Sequence, residues 1–399
     1  MEGGGGGGGV DRLSELPEEI FLHILSKLKN DSESVYRVCS LSKQWLKLPD
    51  LFSRDFTFGN FWDRRRDSRL LDDMRNVAKV GKLQFTHSPD ESYFQETFFE
   101  LARDRHVHSL IINSYYGRSY LRPDGRGSLR ELPSLKTLHL SRYYLNLYCG
   151  PSSSYRYTRF LLYRRYSPFP LKAIRTLVLV DCVIFLDACD FSTCWPNLNE
   201  LRLVGCQFLP KQEPANIVLG SQLAKLTMES NKFPQKISRR TQVSGPGVKF
   251  FRLVQECRLF QHLSLPEVHF PSLEEAEVDV SYYITDYPKV EVTLNEISVR
   301  GTVRYQESCR NKVCLSLFHL LRCLGNAEFV SLSSATTQVL SLVPAGMVEH
   351  QPPLFNRLKS LKLEENLMGT SQPEIPAEVM KYLLHGLLAQ WLPWNFNYC

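Results

Sequence analysis

The sequence predicts an α/β chain in which a small helical module precedes a solenoid of stacked coils, with a parallel sheet on the solenoid's concave face. Three observations carry that expectation. An apolar pattern recurs every 24 or 25 residues through the middle of the chain, a separate block near the amino terminus has helical periodicity, and 43% hydrophobic residues provide enough apolar surface to fill both.

The amino-terminal residues 1–10 are a polyglycine run without a basic flank or an apolar stretch, and they read as a disordered tail rather than a secretory signal. Residues 11–53 form the helical module. Ser14 is placed as a capping residue, Pro17 sits in the first turn and Glu18 and Glu19 follow, the ordinary chemistry of a helix start. Leu16, Ile20, Ile24, Leu25 and Leu28 then fall on one face. A polar break, Lys29 to Ser34, separates them from a second apolar stretch that ends in Leu41-Ser42-Lys43-Gln44-Trp45. Some forty residues in short helices cannot bury this much Leu, Ile and Trp alone, so the module needs a partner to cover its surplus apolar face. Linker helices are expected over 54–80.

Residues 81–370 carry the repeat. Four segments follow L-x-x-L-x-L-x-x-(N/C)-x-φ in full, where φ is apolar. They begin at Ile174, Leu198, Leu223 and Leu358, and place Cys182, Cys206, Asn231 and Asn366 at the polar position. Partial copies place the middle apolar residue at 110, 138, 251, 276 and 330. The central run, 177, 201, 226, 251 and 276, is spaced by 24, 25, 25 and 25 residues. Such spacing is that of a leucine-rich repeat, whose alternating apolar residues point inward from a short strand while the intervening positions face outward. The Asn or Cys three residues later turns inward to bond main-chain groups of the adjacent coil. A degenerate copy is expected near Glu296 to Tyr305, inside the 54-residue gap before 330. Residues 371–399 are expected to cap the stack, because Val379, Leu383, Leu387 and Trp391 fall at helical spacing.

Charge is unevenly placed. The formal net charge is +6, yet Arg103 to Arg175 holds fourteen Lys or Arg against three acids, a local net of +11. Ten of the 18 tyrosines lie in the same segment. An insertion at 141–168 interleaves them with Arg156, Arg159, Arg164 and Arg165, forked donors beside aromatic faces that suit carboxylate or phosphate. A solvated loop whose arginines hold no ligand is the plainer alternative.

Chemistry-bearing motifs point away from catalysis. The chain has no P-loop, no H-E-x-x-H and no G-x-S-x-G. Its eleven cysteines include no C-x-x-C pair, which fits reduced thiols, and no cofactor or metal is expected. His106 and His108 are expected on an early strand with both rings on one face. The longest apolar stretch, Tyr382 to Trp394, is too short for a membrane span and carries His385 and Gln390, so no membrane partner is expected.

The stretch "DRLSELPEEIFLHILSKL" followed by "CSLSKQWLKLPDLF" resembles the F-box in its plant form, and with the repeats behind it the chain resembles plant F-box/leucine-rich-repeat proteins, some of which carry a segment called FBD. "LPEVHFPSLEEAEVDV" and "HLLRCLGNAEFVSLSS" are similar to late-repeat segments of that group. The resemblance implies a non-catalytic substrate receptor of an SCF-type ubiquitin ligase in the nucleus or cytoplasm. Leu16, Pro17, Ile20, Ile24, Leu25, Leu28, Leu41 and Trp45 would meet or support a Skp-type adaptor and, through it, cullin and a RING protein. The repeats would hold the protein to be ubiquitylated, and an acidic or phosphorylated target would meet Arg156, Arg159, Arg164 and Arg165. Alternatives are a non-degradative leucine-rich scaffold and an RNA-associated protein using the basic segment, although nucleic acid is the less expected partner.

Overall fold

The computed structural model describes residues 16, 17, 20, 23, 27, 54–58, 80–87, 99–114, 119–120, 129, 132–146, 171–186, 189–210, 216–233, 241–258, 265–283, 311–343, 355–364 and 375–391. The chain divides into two compact units, residues 1–115 with 125–136, and residues 116–124 with 137–399.

In the first unit three parallel strands, β1 (Arg54–Phe58), β2 (Val80–His87) and β3 (Ser109–Ser114), pair in sequence order. Register places Phe56 beside Leu83 and Leu83 beside Leu110. The segment expected as linker helices therefore begins as a strand. Phe56 and Phe58 alternate around Thr57, a period of two that suits a strand better than a helix. A helical turn over 99–104 packs on β2, with the Phe85 and Phe99 rings edge to face at 6.4 Å.

The second unit is a solenoid of stacked coils. Its main sheet is parallel throughout and contains β5 (Thr137–Ser141), β7 (Thr176–Val180), β10 (Glu200–Val204), β13 (Lys225–Glu229), β15 (Phe250–Arg258), β17 (Glu275–Tyr283), β18 (Phe329–Leu332) and β19 (Ser360–Leu363), in that order. The repeat markers fall in one continuous register: Leu138, Leu177, Leu201, Leu226, Phe251, Ala276, Val330 and Leu361. Each from Leu138 to Val330 is buried, as are the residues two positions on, from Leu140 to Leu332. At roughly 1.5 to 3 kcal/mol per buried aliphatic side chain, this double row is the main stabilising element of the unit. β17 bonds directly to β18, so the 54-residue gap adds no strand between them. Glu296 to Tyr305, where a further copy was expected, lies outside the described residues.

Two smaller parallel sheets complete the coils. One orders β11 (Gln207–Pro210), β8 (Val183–Leu186), β6 (Tyr143–Asn146) and β4 (Ser119–Tyr120); the other orders β16 (Glu267–His269), β14 (Gln242–Ser244), β12 (Asn216–Val218) and β9 (Cys189–Asp190). The corner leading from the main sheet repeats a single backbone device. Arg142, Asp181, Gly205 and Ser230 all have positive φ, and their N–H groups donate to Val180, Val204, Glu229 and Val254 at 2.7 to 2.8 Å.

Backing elements change after β17. Residues 311–323 are helical, and α1 (Ser334–Ser341) starts at Ser333, whose hydroxyl accepts from the Thr336 N–H at 3.2 Å. Thr336 is fully buried; its hydroxyl accepts from the Val280 N–H at 2.7 Å and donates to the Val278 carbonyl at 3.0 Å, fixing α1 to β17. α2 (Ala377–Trp391) buries Val379 and Leu383 and sets Tyr382 6.0 Å from the Phe318 ring. Leu387 and Trp391 lie in α2 as the spacing predicted. No helix among the described residues is long and apolar enough to cross a membrane.

Candidate interaction surfaces

At the amino terminus the Pro17 carbonyl accepts from the Ile20 N–H at 3.0 Å, and Ile20, His23 and Lys27 are helical, so a helix starts where the Leu-Pro pair predicts. Leu16 is half-buried and Pro17 exposed, while Ile20 leaves 51% of its surface in solvent. Phe329 and Leu315 are exposed to a similar degree, 47% and 44%, so a single exposed apolar side chain is ordinary surface, and Ile20 is available for a contact. Ile24, Leu25, Leu28, Leu41 and Trp45 lie outside the described residues.

The outward face of the main sheet in the second unit has two parts. From β10 onward its charges pair between neighbouring coils: Arg202 with Glu229 at 3.0 Å, Lys225 with Glu200 at 3.5 Å, and Arg252 with Glu277 at 3.4 Å. At the turns that precede the strands, Lys249 meets Glu274 at 2.8 Å, and Glu328 takes both Arg357 and Lys359, at 3.0 and 2.6 Å. Lys225 also stands 5.3 Å above the Phe250 ring. Such exposed pairs add little stability, and β17 adds the outward acids Glu275 and Asp279 to this part of the face. On β5 and β7 the outward residues are Thr137, His139, Ser141, Thr176, Val178 and Val180, an uncharged strip. Arg142, Lys172 and Arg175 are exposed in the adjoining turns.

The Tyr/Arg-rich insertion begins later than its expected boundary of 141. Tyr143 to Asn146 are the strand β6, paired with β8, and the Tyr144 ring stacks on Phe185 at 6.1 Å. Tyr143 is fully buried, and that burial pushes its phenol far above its ordinary value. The cause is local: Arg142 repeats the left-handed corner of Asp181 and Gly205, so the chain continues its coil before any insertion can leave it. Arg156, Arg159, Arg164 and Arg165 lie outside the described residues.

Cys182 and Cys206 are structural, as their place in the repeat predicts. The Cys182 thiol donates to the Leu140 carbonyl at 3.5 Å and the Cys206 thiol to the Leu179 carbonyl at 3.3 Å, each reaching the preceding coil. The adjacent Cys182 side chain and burial both push the Cys206 thiol upward, away from a reactive thiolate. His106 is not on a strand. It occupies a turn with φ 53°, its N–H donating to the Arg103 carbonyl at 3.1 Å, and β3 begins only at Ser109, so strand alternation does not govern the two rings. Among the described residues no three His, Cys, Asp or Glu side chains gather to hold a metal ion.

One surface escaped the sequence reading. A cleft of about 810 Å³ is floored by β12, β14 and β16 and bounded by Arg322, Cys323, Gly325, Asn326 and Asn356. Its strands read Asn216-Ile217-Val218, Gln242-Val243-Ser244 and Glu267-Val268-His269, with the middle residue buried and paired in register. The buried middle residues Ile217, Val243 and Val268 recur every 25 or 26 residues, in step with the leucine pattern, which is the signal that would have revealed them.

The fold is thus that of a leucine-rich-repeat solenoid, a class that works by presenting outward strand positions and corners to a partner. No family model matches the chain. An F-box/FBD/LRR-repeat protein of Arabidopsis thaliana is 27% identical over 256 residues, 60% of this chain and 49% of that protein, so the chain spans about half the length of the relative it matches. The distant likeness supports an F-box/leucine-rich-repeat kinship.

Proposed function

We propose that this chain is the substrate-recognition subunit of a cullin-RING ubiquitin ligase of the SCF type. Residues 11–53 act as the F-box that docks a Skp-type adaptor, and through it cullin and the RING protein. The repeats hold the protein to be ubiquitylated, and residues 371–399 close the stack. The observation that carries this reading is Ile20, exposed at the first turn of a helix that starts on Leu16-Pro17, in a chain whose relative is named for both an F-box and leucine-rich repeats.

A receptor of this kind needs no nucleophile. It accelerates transfer by holding substrate lysines near a charged conjugating enzyme, an effect of proximity and effective concentration. The uncharged strip on β5 and β7, flanked by Arg142, Lys172 and Arg175, is the proposed resting place of the target. Arg156, Arg159, Arg164 and Arg165 are proposed to engage acidic or phosphorylated residues on it. Nucleus and cytoplasm both hold the partners this role requires.

The test is capture from cells with the proteasome blocked, comparing the wild-type chain with a Leu16→Ala, Pro17→Ala double variant. Adaptor and cullin should be lost together while circular dichroism of the repeats is unchanged. Retention of both by the double variant would remove the proposal, and recovery of adaptor without cullin by the wild type would make the chain a non-degradative scaffold.

A further inference from the structure

The residues that open the strands of the main sheet form an outward row, and register orders five of them as Glu200, Lys225, Phe250, Glu275 and Phe329. All five point away from the core, because the next residue of each strand, from Leu201 to Val330, is buried. The first three satisfy one another. Lys225 bonds Glu200 at 3.5 Å and stands 5.3 Å above the Phe250 ring, so a cation on this row is held by a carboxylate on one side and an aromatic face on the other.

The last three bring the same parts together without the cation. Glu275 lies between Phe250 and Phe329 in register, and Phe329 leaves 47% of its surface in solvent. What sets this ring apart from other exposed apolar side chains is a carboxylate and a second ring in the next two positions of its row. The charges around it are already matched: Lys249 by Glu274, Arg252 by Glu277, and Arg357 and Lys359 by Glu328, while Asp279 takes the Ser333 hydroxyl. Glu275 has no ion pair among the described residues. The row lies at the start of the strands, about 26 Å along β17 from its far end at Tyr283, and is bordered by the turns 246–249, 271–274 and 325–328.

Spacing selects the kind of cation. Phe250 and Phe329 are two strand spacings apart, about 9.6 Å, and a flat group in contact with a ring on each face needs about 7 to 8 Å. A guanidinium is flat, stacks on aromatic faces and offers forked N–H donors to a carboxylate, whereas an ammonium is compact and more strongly hydrated. We infer that Phe250, Glu275 and Phe329 seat one arginine side chain of the protein that the repeats hold. Its guanidinium lies between the two rings and donates to the Glu275 carboxylate. This seat has a use only if the repeats are a receptor, as proposed above, but neither adaptor nor cullin enters its test, so loss of adaptor binding and loss of arginine binding are read separately.

The experiment selects random dodecapeptides displayed on phage against the immobilised full chain and measures the recovered peptides by fluorescence anisotropy. Arginine should be enriched at one position. Its replacement by citrulline, which keeps the shape and removes the charge, should cost about tenfold or more in affinity, as should Glu275→Gln and Phe329→Ser on the protein. Lysine in place of that arginine should cost about threefold or more. Leu315→Ser, which removes a similarly exposed apolar side chain from the helix 311–323, should bind as wild type. Glu275→Gln changes only the charge at an exposed position and gives the result should Phe329→Ser disturb folding. Recovery of no binding peptide, binding that tolerates citrulline, equal affinity for lysine, or affinity unchanged by Glu275→Gln would overturn the inference.

Discussion

Asn231 closes a reciprocal contact with the coil before it: its Oδ1 accepts from the Cys206 N–H at 2.8 Å, and its Nδ2 donates to the Leu203 carbonyl at 3.0 Å. All of these groups are buried, so the side chain replaces water on both a donor and an acceptor at once. Asn231→Ala leaves the Cys206 N–H unsatisfied and takes one of two bonds from the Leu203 carbonyl, which β13 also serves, and should cost about 1 to 3 kcal/mol in chemical denaturation. Asn231→Cys should cost less, because a thiol can serve the Leu203 carbonyl as Cys206 serves Leu179, although it cannot replace the acceptor. Equal loss from both variants would show that packing, not hydrogen bonding, fixes this position.

The two most constrained glycines fail for different reasons. Gly205 has φ 62°, but Arg142, Asp181 and Ser230 hold the same left-handed corner with side chains, and the atom a Cβ would meet is the rotatable Asp181 Oδ1 at 2.6 Å. Gly205→Ala should therefore cost only about 1 kcal/mol. A Cβ at Gly247 would fall 1.9 Å from the Ser221 main-chain carbonyl oxygen, which cannot rotate away. Gly247→Ala should cost about 3 kcal/mol and lower the unfolding midpoint well below that of Gly205→Ala. The reverse order of midpoints would refute this comparison.

Acid should weaken the last coils through one carboxylate. The Lys359 ammonium, bonded to Glu328 at 2.6 Å, and the Arg357 guanidinium beside it hold the Glu328 carboxyl below the usual carboxylate range. A depressed folded value means that the unfolded chain takes up its proton first as pH falls. The contribution is present above the unfolded value and disappears as pH drops through the folded one. The stability difference between wild type and Glu328→Gln should thus be constant above about pH 5 and shrink toward zero in more acid solution. A difference that stays constant down to the lowest pH would show that the pair carries no linkage.

How much of this was legible follows from what each residue responds to. Leu177, Leu201, Leu226 and Phe251 were placed correctly because burial on one strand face imposes a strict period, and spacing alone fixes their register. Phe56 and Leu83 continue the same register in the first unit and were missed, although Val80, Leu83 and Phe85 carry the partial spacing that placed Leu110. Spacing also cannot tell an insertion that adds a coil from one that leaves the stack, which is why a strand was expected between Ala276 and Val330 where direct pairing leaves no room. The cross-coil ion pairs were out of reach for another reason. Arg202 and Glu229 are 27 residues apart, and only the stacked register makes them neighbours.

Ile20 offers the sharpest separation of docking from folding. With 51% of its surface exposed, it contributes little to the packing of its own module, so Ile20→Asp should leave the unfolding midpoint within the scatter of ordinary surface changes, about 0.5 kcal/mol. An interface anchor behaves differently, because its truncation typically costs about 1 to 4 kcal/mol of binding. Adaptor affinity of Ile20→Asp, measured by calorimetry on purified full-length chain, should therefore fall tenfold or more. Lys27→Ala, at an exposed helical position without apolar surface to give, should bind as wild type. Half-buried Leu16 lies between these cases, and Leu16→Ala should lose both binding and some stability. Wild-type affinity in Ile20→Asp would mean that the exposed first turn faces solvent in the complex and that any adaptor contact is made elsewhere in the module.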